Sequence, residues 1–258
     1  MTSRACRAGC LLVASSALVA FARAYAAEAE FVEPIITEET LPNEPGEMDV
    51  RVSTEYRTSG GEVTASLPRL QLFFGLAGRL GGELDLPFVY RRGDSRAHGI
   101  GDLSASIKWL LLAPERSRPA IALGLELGCP TGDPDRETGE GAFELEPFVA
   151  LLTATRHLTL QGNVAWSTPI SRGSEESAGS LVSNLSAALP LLDRRLHLMT
   201  ELSGKVTAGA PAVVALSPGA KWSLSRDAFV ALAWPVGLTR GTEDFGVVLQ
   251  LQVGTSLW

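Results

Sequence analysis

His157-Leu158-Thr159-Leu160-Gln161-Gly162-Asn163-Val164-Ala165-Trp166-Ser167 decides the fold. One parity carries Leu158, Leu160, Gly162, Val164 and Trp166, and the other carries His157, Thr159, Gln161, Asn163 and Ser167. Side chains that alternate with a period of two belong to a β-strand with one apolar and one polar face. The same pattern recurs from Glu47 to the C-terminus in segments of roughly 10 to 14 residues, separated by turn-rich breaks. Twelve strands are expected, at 47–56, 64–76, 79–91, 100–112, 118–129, 141–152, 156–167, 179–191, 194–206, 212–224, 227–238 and 243–258. Connections after even-numbered strands are very short, such as Ala77-Gly78, Asp193 and Ser225-Arg226, whereas 131–140 and 169–178 are long and polar. Alternating short and long connections, with an even strand count, describe an antiparallel transmembrane β-barrel.

A soluble sandwich or lipocalin-like barrel would show the same alternation, so the composition of each face has to decide. The non-apolar parity is rich in Gly, Ser, Ala, Asn, Gln and charge, as in Asp102, Ser104, Ser106 and Lys108. Twelve strands enclose a space too wide for so many small side chains to be facing a protein core. Four tryptophans fall on the apolar parity. Trp109 and Trp222 lie near the short-turn ends of their strands and Trp166 and Trp234 near the long-loop ends, an arrangement expected of two membrane-interface girdles.

The N-terminus names a compartment. Residues 1–26 hold Arg4, Arg7 and Arg23, no acid, an apolar run over 10–22, and the small-residue site Ala24-Tyr25-Ala26. This reads as a cleaved secretory signal, since the run is too short to span a bilayer. Cleavage removes three positive charges and takes the formal charge from −7 to −10. Only Cys129 then remains, which excludes an intrachain disulfide and a cysteine metal site. An acidic chain offers nothing to grip nucleic acid. Residues 27–46 carry Glu28, Glu30, Glu33, Glu38, Glu39 and Glu44 with three prolines and no base. That composition is expected of an extended, solvated periplasmic lead-in to the barrel, which occupies 47–258. The compartment that fits is the bacterial outer membrane, with its lipid as one partner.

Charges facing hydrocarbon would each cost roughly 2 to 4 kcal/mol at mid-membrane. The lumen is therefore expected to hold Arg51, Glu55, Arg69, Glu83, Asp85, Lys108, Glu126, Glu144, Glu146, Glu201, Lys205 and Lys221, with Gln161 and Asn163. Antiparallel register suggests a Lys108–Glu83 pair, and it leaves Glu126, Glu144 and Glu146 as an acidic wall that would favour cations or polar neutral solutes. A plugged interior whose charges solvate one another is the competing expectation.

Catalysis has little to stand on. His98, His157 and His197 are scattered, and no two of them are close in sequence alongside a carboxylate. His157 and His197 fall on the lumen parity, away from the lipid-facing wall where an outer-membrane lipase keeps its Ser and His. No catalytic residue, metal or cofactor is expected. Asp133, Asp135 and Glu137 alternate like a calcium string but lack the closing glutamate, so a solvated loop is the reading.

Two stretches carry a family resemblance. His98-Gly99-Ile100-Gly101-Asp102-Leu103-Ser104-Ala105-Ser106-Ile107-Lys108-Trp109 resembles the glycine-glycine-aspartate strand opening of the outer-membrane family named for the MetA pathway of phenol degradation. The segment ending Gly128-Cys129-Pro130-Thr131-Gly132-Asp133 resembles its next strand and proline-threonine-glycine-aspartate loop. Counted from a turn near Glu115, Gly101 and Thr131 meet at the outer rim. There Gly99, Gly101, Asp102, Pro130, Thr131, Gly132 and Asp133 either shape the backbone or touch solute. The resemblance implies an outer-membrane channel carrying small organic solutes, aromatic or hydrophobic ones included, without naming phenol as the solute. A non-conducting structural or surface-binding barrel is the alternative. The last strand ends on Trp258, resembling the terminal aromatic that the barrel-assembly machinery reads, although strict alternation puts Leu257 on the lipid side.

Overall fold

A computed structural model describes residues 31–93, 96–115, 118–170, 179–239 and 242–256. The signal at 1–26, the terminal pair Leu257-Trp258 and most of the 169–178 loop lie outside the described residues.

The fold is a closed antiparallel barrel of twelve staves. Its strands are β1 (Glu47–Ser59), β2 (Glu62–Ala77), β3 (Leu80–Arg92), β4 (Arg96–Ile100), β5 (Leu103–Leu112), β6 (Ala120–Cys129), β7 (Glu144–Ala154), β8 (Thr159–Pro169), β9 (Ser180–Leu191), β10 (Leu196–Thr207), β11 (Val213–Ser223), β12 (Ala228–Ala233), β13 (Val236–Gly237) and β14 (Phe245–Ser256). Fourteen segments make twelve staves because Gly101-Asp102 interrupts β4–β5, and Trp234-Pro235 interrupts β12–β13. Each stave pairs with its sequence neighbour, and β1 closes on β14 from Glu47 opposite Ser256 to Thr58 opposite Phe245. Closure gives every stave a paired neighbour on both sides, which a lipid-embedded sheet requires.

The two faces of the wall differ in what covers them. Leu123, Leu125, Leu249, Leu251 and Val253 stand out from the barrel, 39 to 50% exposed, while their neighbours Ala122, Val248, Gln250 and Gln252 are buried inside. An apolar outer surface wrapping the whole barrel is a surface for lipid. Trp109, Trp166 and Trp222 project outward near stave ends, and Trp234 projects outward opposite Pro218, in mid-stave. Among the described residues, no helix is long and apolar enough to cross a membrane.

The interior departs from the sequence expectation. Residues 31–46 are not a solvated lead-in. They run inside the barrel, in the half bounded by the short turns, and then reverse into β1 through Gly46, whose φ of 87° suits a residue without a Cβ. Val32 and Ile35 pack there on Ala188, Met199, Phe229, Ala231, Ala233 and Val248. Small inward residues therefore do face a core in this half, one supplied by the chain ahead of the first strand. Gly75 and Gly81 mark how close the approach is: a Cβ at Gly75 would lie 1.8 Å from the Glu44 carbonyl oxygen, and one at Gly81 would lie 2.6 Å from Pro42 Cβ.

Candidate functional site: the barrel lumen and its plug

Alternation on β1, β5, β8, β10, β11 and β14 points Arg51, Lys108, Gln161, Glu201, Lys221, Gln250 and Gln252 at one another across the short-turn half. All seven are buried, and each spends polar atoms on residues 31–46. Glu201 does most. Its two carboxylate oxygens accept from the amides of Ile35 at 2.8 Å, Ile36 at 3.1 Å and Thr37 at 2.6 Å. Charge-assisted bonds of this kind contribute about 1.5 to 3 kcal/mol each when buried. Gln161 donates to the Val32 carbonyl and accepts from the Thr40 amide at 3.2 Å, and Gln250 donates to the Ile35 carbonyl at 2.7 Å.

The cations answer the segment's acids. Lys108 pairs with Glu38 at 2.7 Å and donates to the Glu39 carbonyl. Glu33 Oε2 receives Lys221 Nζ at 3.1 Å, Gln252 Nε2 at 3.0 Å and Arg51 Nη2 at 3.5 Å. Burial pushes the Glu33 carboxyl up, but Lys221 and Arg51 beside it outweigh burial and hold it below the ordinary value of 4.5. The acids read as solvating a free extension instead neutralise the wall.

This corrects the expected Lys108–Glu83 pair. Glu83 stands opposite Ser106, so Lys108 is its diagonal neighbour, and Glu83 accepts instead from Gln71 at 3.0 Å. A carboxylate from the plug reaches the ammonium where the cross-strand one does not.

In the half bounded by the long loops, the wall supplies the partners of its own cations. Arg69 forks onto Asp85, with Nε 2.7 Å from Oδ2, and reaches Glu55 at 2.9 Å. Arg57 binds Glu243 at 2.8 Å and Glu55 at 3.2 Å. Sequence reading placed Arg69, Asp85 and Glu55 in the lumen but missed Arg57 and Glu243 as their partners. Across the barrel Glu126 stands directly opposite Glu146, with Glu144 opposite Gly128 and bonded by the Ser167 hydroxyl. The described ion pairs leave these three without a cation, and Lys205 on β10 is exposed. Below them Phe148 projects inward over Gly124, where a Cβ would lie 2.0 Å from the ring's Cζ.

The rim motifs meet, and their polar atoms are used on backbone. Thr131 Oγ1 donates to the Gly101 carbonyl at 2.8 Å and accepts from the Leu103 amide at 2.9 Å. Asp102 accepts from the amides of Gly132 at 2.9 Å and Glu140 at 2.6 Å, so one carboxylate ties both ends of the 130–143 loop to the β4–β5 break. Asp133 caps a single turn at Pro134–Arg136 through the amides of Asp135 and Arg136. Gly132 and Gly139 come so close that a Cβ on either would fall 2.7 Å from the other's Cα. Gly99 lies on the face opposite lipid-exposed Ile100 and receives Thr138, which turns the loop inward over the mouth. Pro130 begins the loop after β6.

What sequence reading missed most is the plug: Val32, Glu33, Ile35, Glu38 and Thr40. A signal was available. Val32, Ile35 and Ile36 are apolar beyond the needs of a solvated tether, and the acids around them are opposite in charge to the three wall cations Arg51, Lys108 and Lys221.

Known proteins share this wall. The family model described as "Putative MetA-pathway of phenol degradation" matches residues 50–253. Curated proteins give no match. A solved outer membrane channel from Pseudomonas putida F1 is similar at a TM-score of 0.66 and 17% identity, covering 87% of this chain and 100% of that one. The NanC porin is similar at a TM-score of 0.57 and 8% identity, covering 80% of this chain and 98% of the porin.

Proposed function

The chain belongs to the family of the MetA pathway of phenol degradation, and from that premise we propose that it is an outer-membrane channel for small organic solutes whose lumen is gated by its own residues 31–46. One observation carries the reading. The plug is held to the wall by hydrogen bonds, ion pairs and a small apolar contact, so it is able to leave without disturbing the pairing of the sheet. A permanent core would be expected to tie the staves together through apolar bulk alone, and here the apolar packing of Val32 and Ile35 is accompanied by many polar groups that water would satisfy once the plug leaves. The family description supports aromatic solutes as the first class to examine. Trp109, Trp166 and Trp222, exposed near stave ends, support interface girdles, and the chain is read as inserted by the barrel-assembly machinery.

The test is single-channel conductance of the full mature protein in a planar bilayer, paired with uptake of phenol-class and sugar solutes into proteoliposomes. Discrete openings with preferential uptake of the aromatic solutes support the proposal. A heat-modifiable but silent barrel moves the reading to a non-conducting structural or surface-binding protein. The filled short-turn half is the observation that favours this second reading.

A further inference from the structure

Two donors and one further cation, on three different staves, converge on one carboxylate oxygen. Lys221 of β11, Gln252 of β14 and Arg51 of β1 are each buried in the wall, and all point at Glu33 Oε2, at 3.1, 3.0 and 3.5 Å. Each is held by something other than Glu33. Lys221 Nζ rests 3.3 Å above the Phe229 ring centroid, and Arg51 Cζ lies 4.4 Å from that of Phe73 while its Nε donates to Gln252 Oε1 at 2.7 Å. Gln252 Nε2 also donates to Asp49 at 3.0 Å, and Lys221 Nζ lies 3.5 Å from the Glu33 carbonyl. The receptor is thus built by the barrel wall and merely filled by the plug. Remove Glu33 and two buried cations face the lumen with Asp49 and the plug's Glu39 as the nearby acids, a place that still takes an incoming anion because each cation is held by the wall.

We propose that Arg51, Lys221 and Gln252 form a binding site for the carboxylate of a small organic acid, and that Glu33 is the tethered occupant which such a solute displaces. Binding of solute and release of the plug are then one exchange. This deepens the channel reading by naming the chemistry of the solute, and it rests on that reading only for the passage that comes after binding. Because Glu33 is attached to the chain, it competes at an effective concentration of about millimolar or more. A free carboxylate therefore binds weakly to the resting protein, and more tightly once Glu33 has lost its charge.

The experiment is calorimetric titration of the full mature protein in detergent with benzoate, with benzyl alcohol as the neutral counterpart. Glu33→Gln is expected to bind benzoate at least about tenfold more tightly than the unaltered protein, and neither is expected to bind benzyl alcohol to the same site. Adding Lys221→Gln to Glu33→Gln is expected to abolish the gain. Should that double variant fail to fold, Gln252→Leu on the Glu33→Gln background serves, with a several-fold weakening expected. Equal benzoate affinity with and without the Glu33 charge overturns the proposal, as does equal binding of benzoate and benzyl alcohol. Calorimetry needs no conduction. A silent barrel that binds benzoate would defeat the channel reading alone, and a conducting barrel indifferent to benzoate would defeat this one alone.

Discussion

The two halves of the lumen solve the same problem in opposite ways. On the long-loop side, the cations are neutralised within the wall, where Arg57 and Arg69 are met by Glu55, Asp85 and Glu243 from β1, β3 and the loop before β14. On the short-turn side, Arg51, Lys108 and Lys221 meet acids carried on the plug, and the wall carboxylate of Glu201 meets plug amides. A wall that satisfies itself has no need of a visitor. A wall that is incomplete without a segment it does not contain is where movement has a consequence, because the groups bonded to the plug exchange it for water or solute once it leaves.

Deleting residues 31–44 should break the contrast most. Conductance is expected to rise several-fold and lose most of its closures, while the protein remains heat-modifiable on gels. An unchanged trace would mean that the constriction lies elsewhere, under the inward-turned 130–143 loop.

Next in size is Glu201→Ala, which strips the acceptor from three plug amides at once. It is expected to weaken docking by at least about 4 kcal/mol, read as a higher open probability. Arg69→Ala, its counterpart in the other half, should leave open probability unaltered while lowering thermal stability. Gly75→Ala sharpens the same point sterically, since its Cβ would collide with the Glu44 carbonyl, whereas Gly78→Ala meets nothing within 4 Å. The first should loosen the plug. The second should cost only the strain of a φ of +57° at the β2–β3 turn, seen as a small drop in melting temperature.

Acid gives a smaller effect of known sign. The docked Glu33 carboxyl sits below its ordinary 4.5, so its share of docking is complete above that value and is lost as pH falls through the depressed one. The Glu33 share of open probability should climb only below 4.5, and in Glu33→Gln that part of the climb should be missing.

Smallest is the charge reversal of Glu126, Glu144 and Glu146 to lysine. It belongs to the half that the plug does not fill, and it should shift the reversal potential in a salt gradient away from cations with little change in opening. No shift would remove the acidic wall from the permeation path.

Much of this architecture was legible because the wall writes it twice per residue pair. Period-two patterning around Gln161, Lys108 and Glu201 gave their lumen parity, and the offset between Gly101 and Thr131 brought two rim motifs together before any coordinate did. The plug was illegible for a physical reason. Residues 31–46 have no repeat, and they dock through backbone amides on Glu201 and through single side chains such as Glu33, whose partners come from β1, β11 and β14, far apart in sequence. The same cause spoiled the expected Lys108–Glu83 pair. Register alone cannot reveal a competitor that arrives from outside the sheet. The rim was underdetermined in another way: a Thr and an Asp in a glycine-rich loop read equally as ligands or as ties, and only the distances from Asp102 to Gly132 and Glu140 decide for ties.

Gln250 and Gln252 belong to the last strand, which is zipped to the first, and their side-chain amides reach Ile35 and Glu33, ahead of that first strand. The beginning of the chain thus clasps the one seam at which the sheet is joined to itself. Biogenesis inherits a coupling from this. The final strand docks on β1 and, through two side chains, on the stretch before it, so a shortened N-terminus would register first as a slower and weaker sealing of the barrel, whatever it did afterwards to traffic through it.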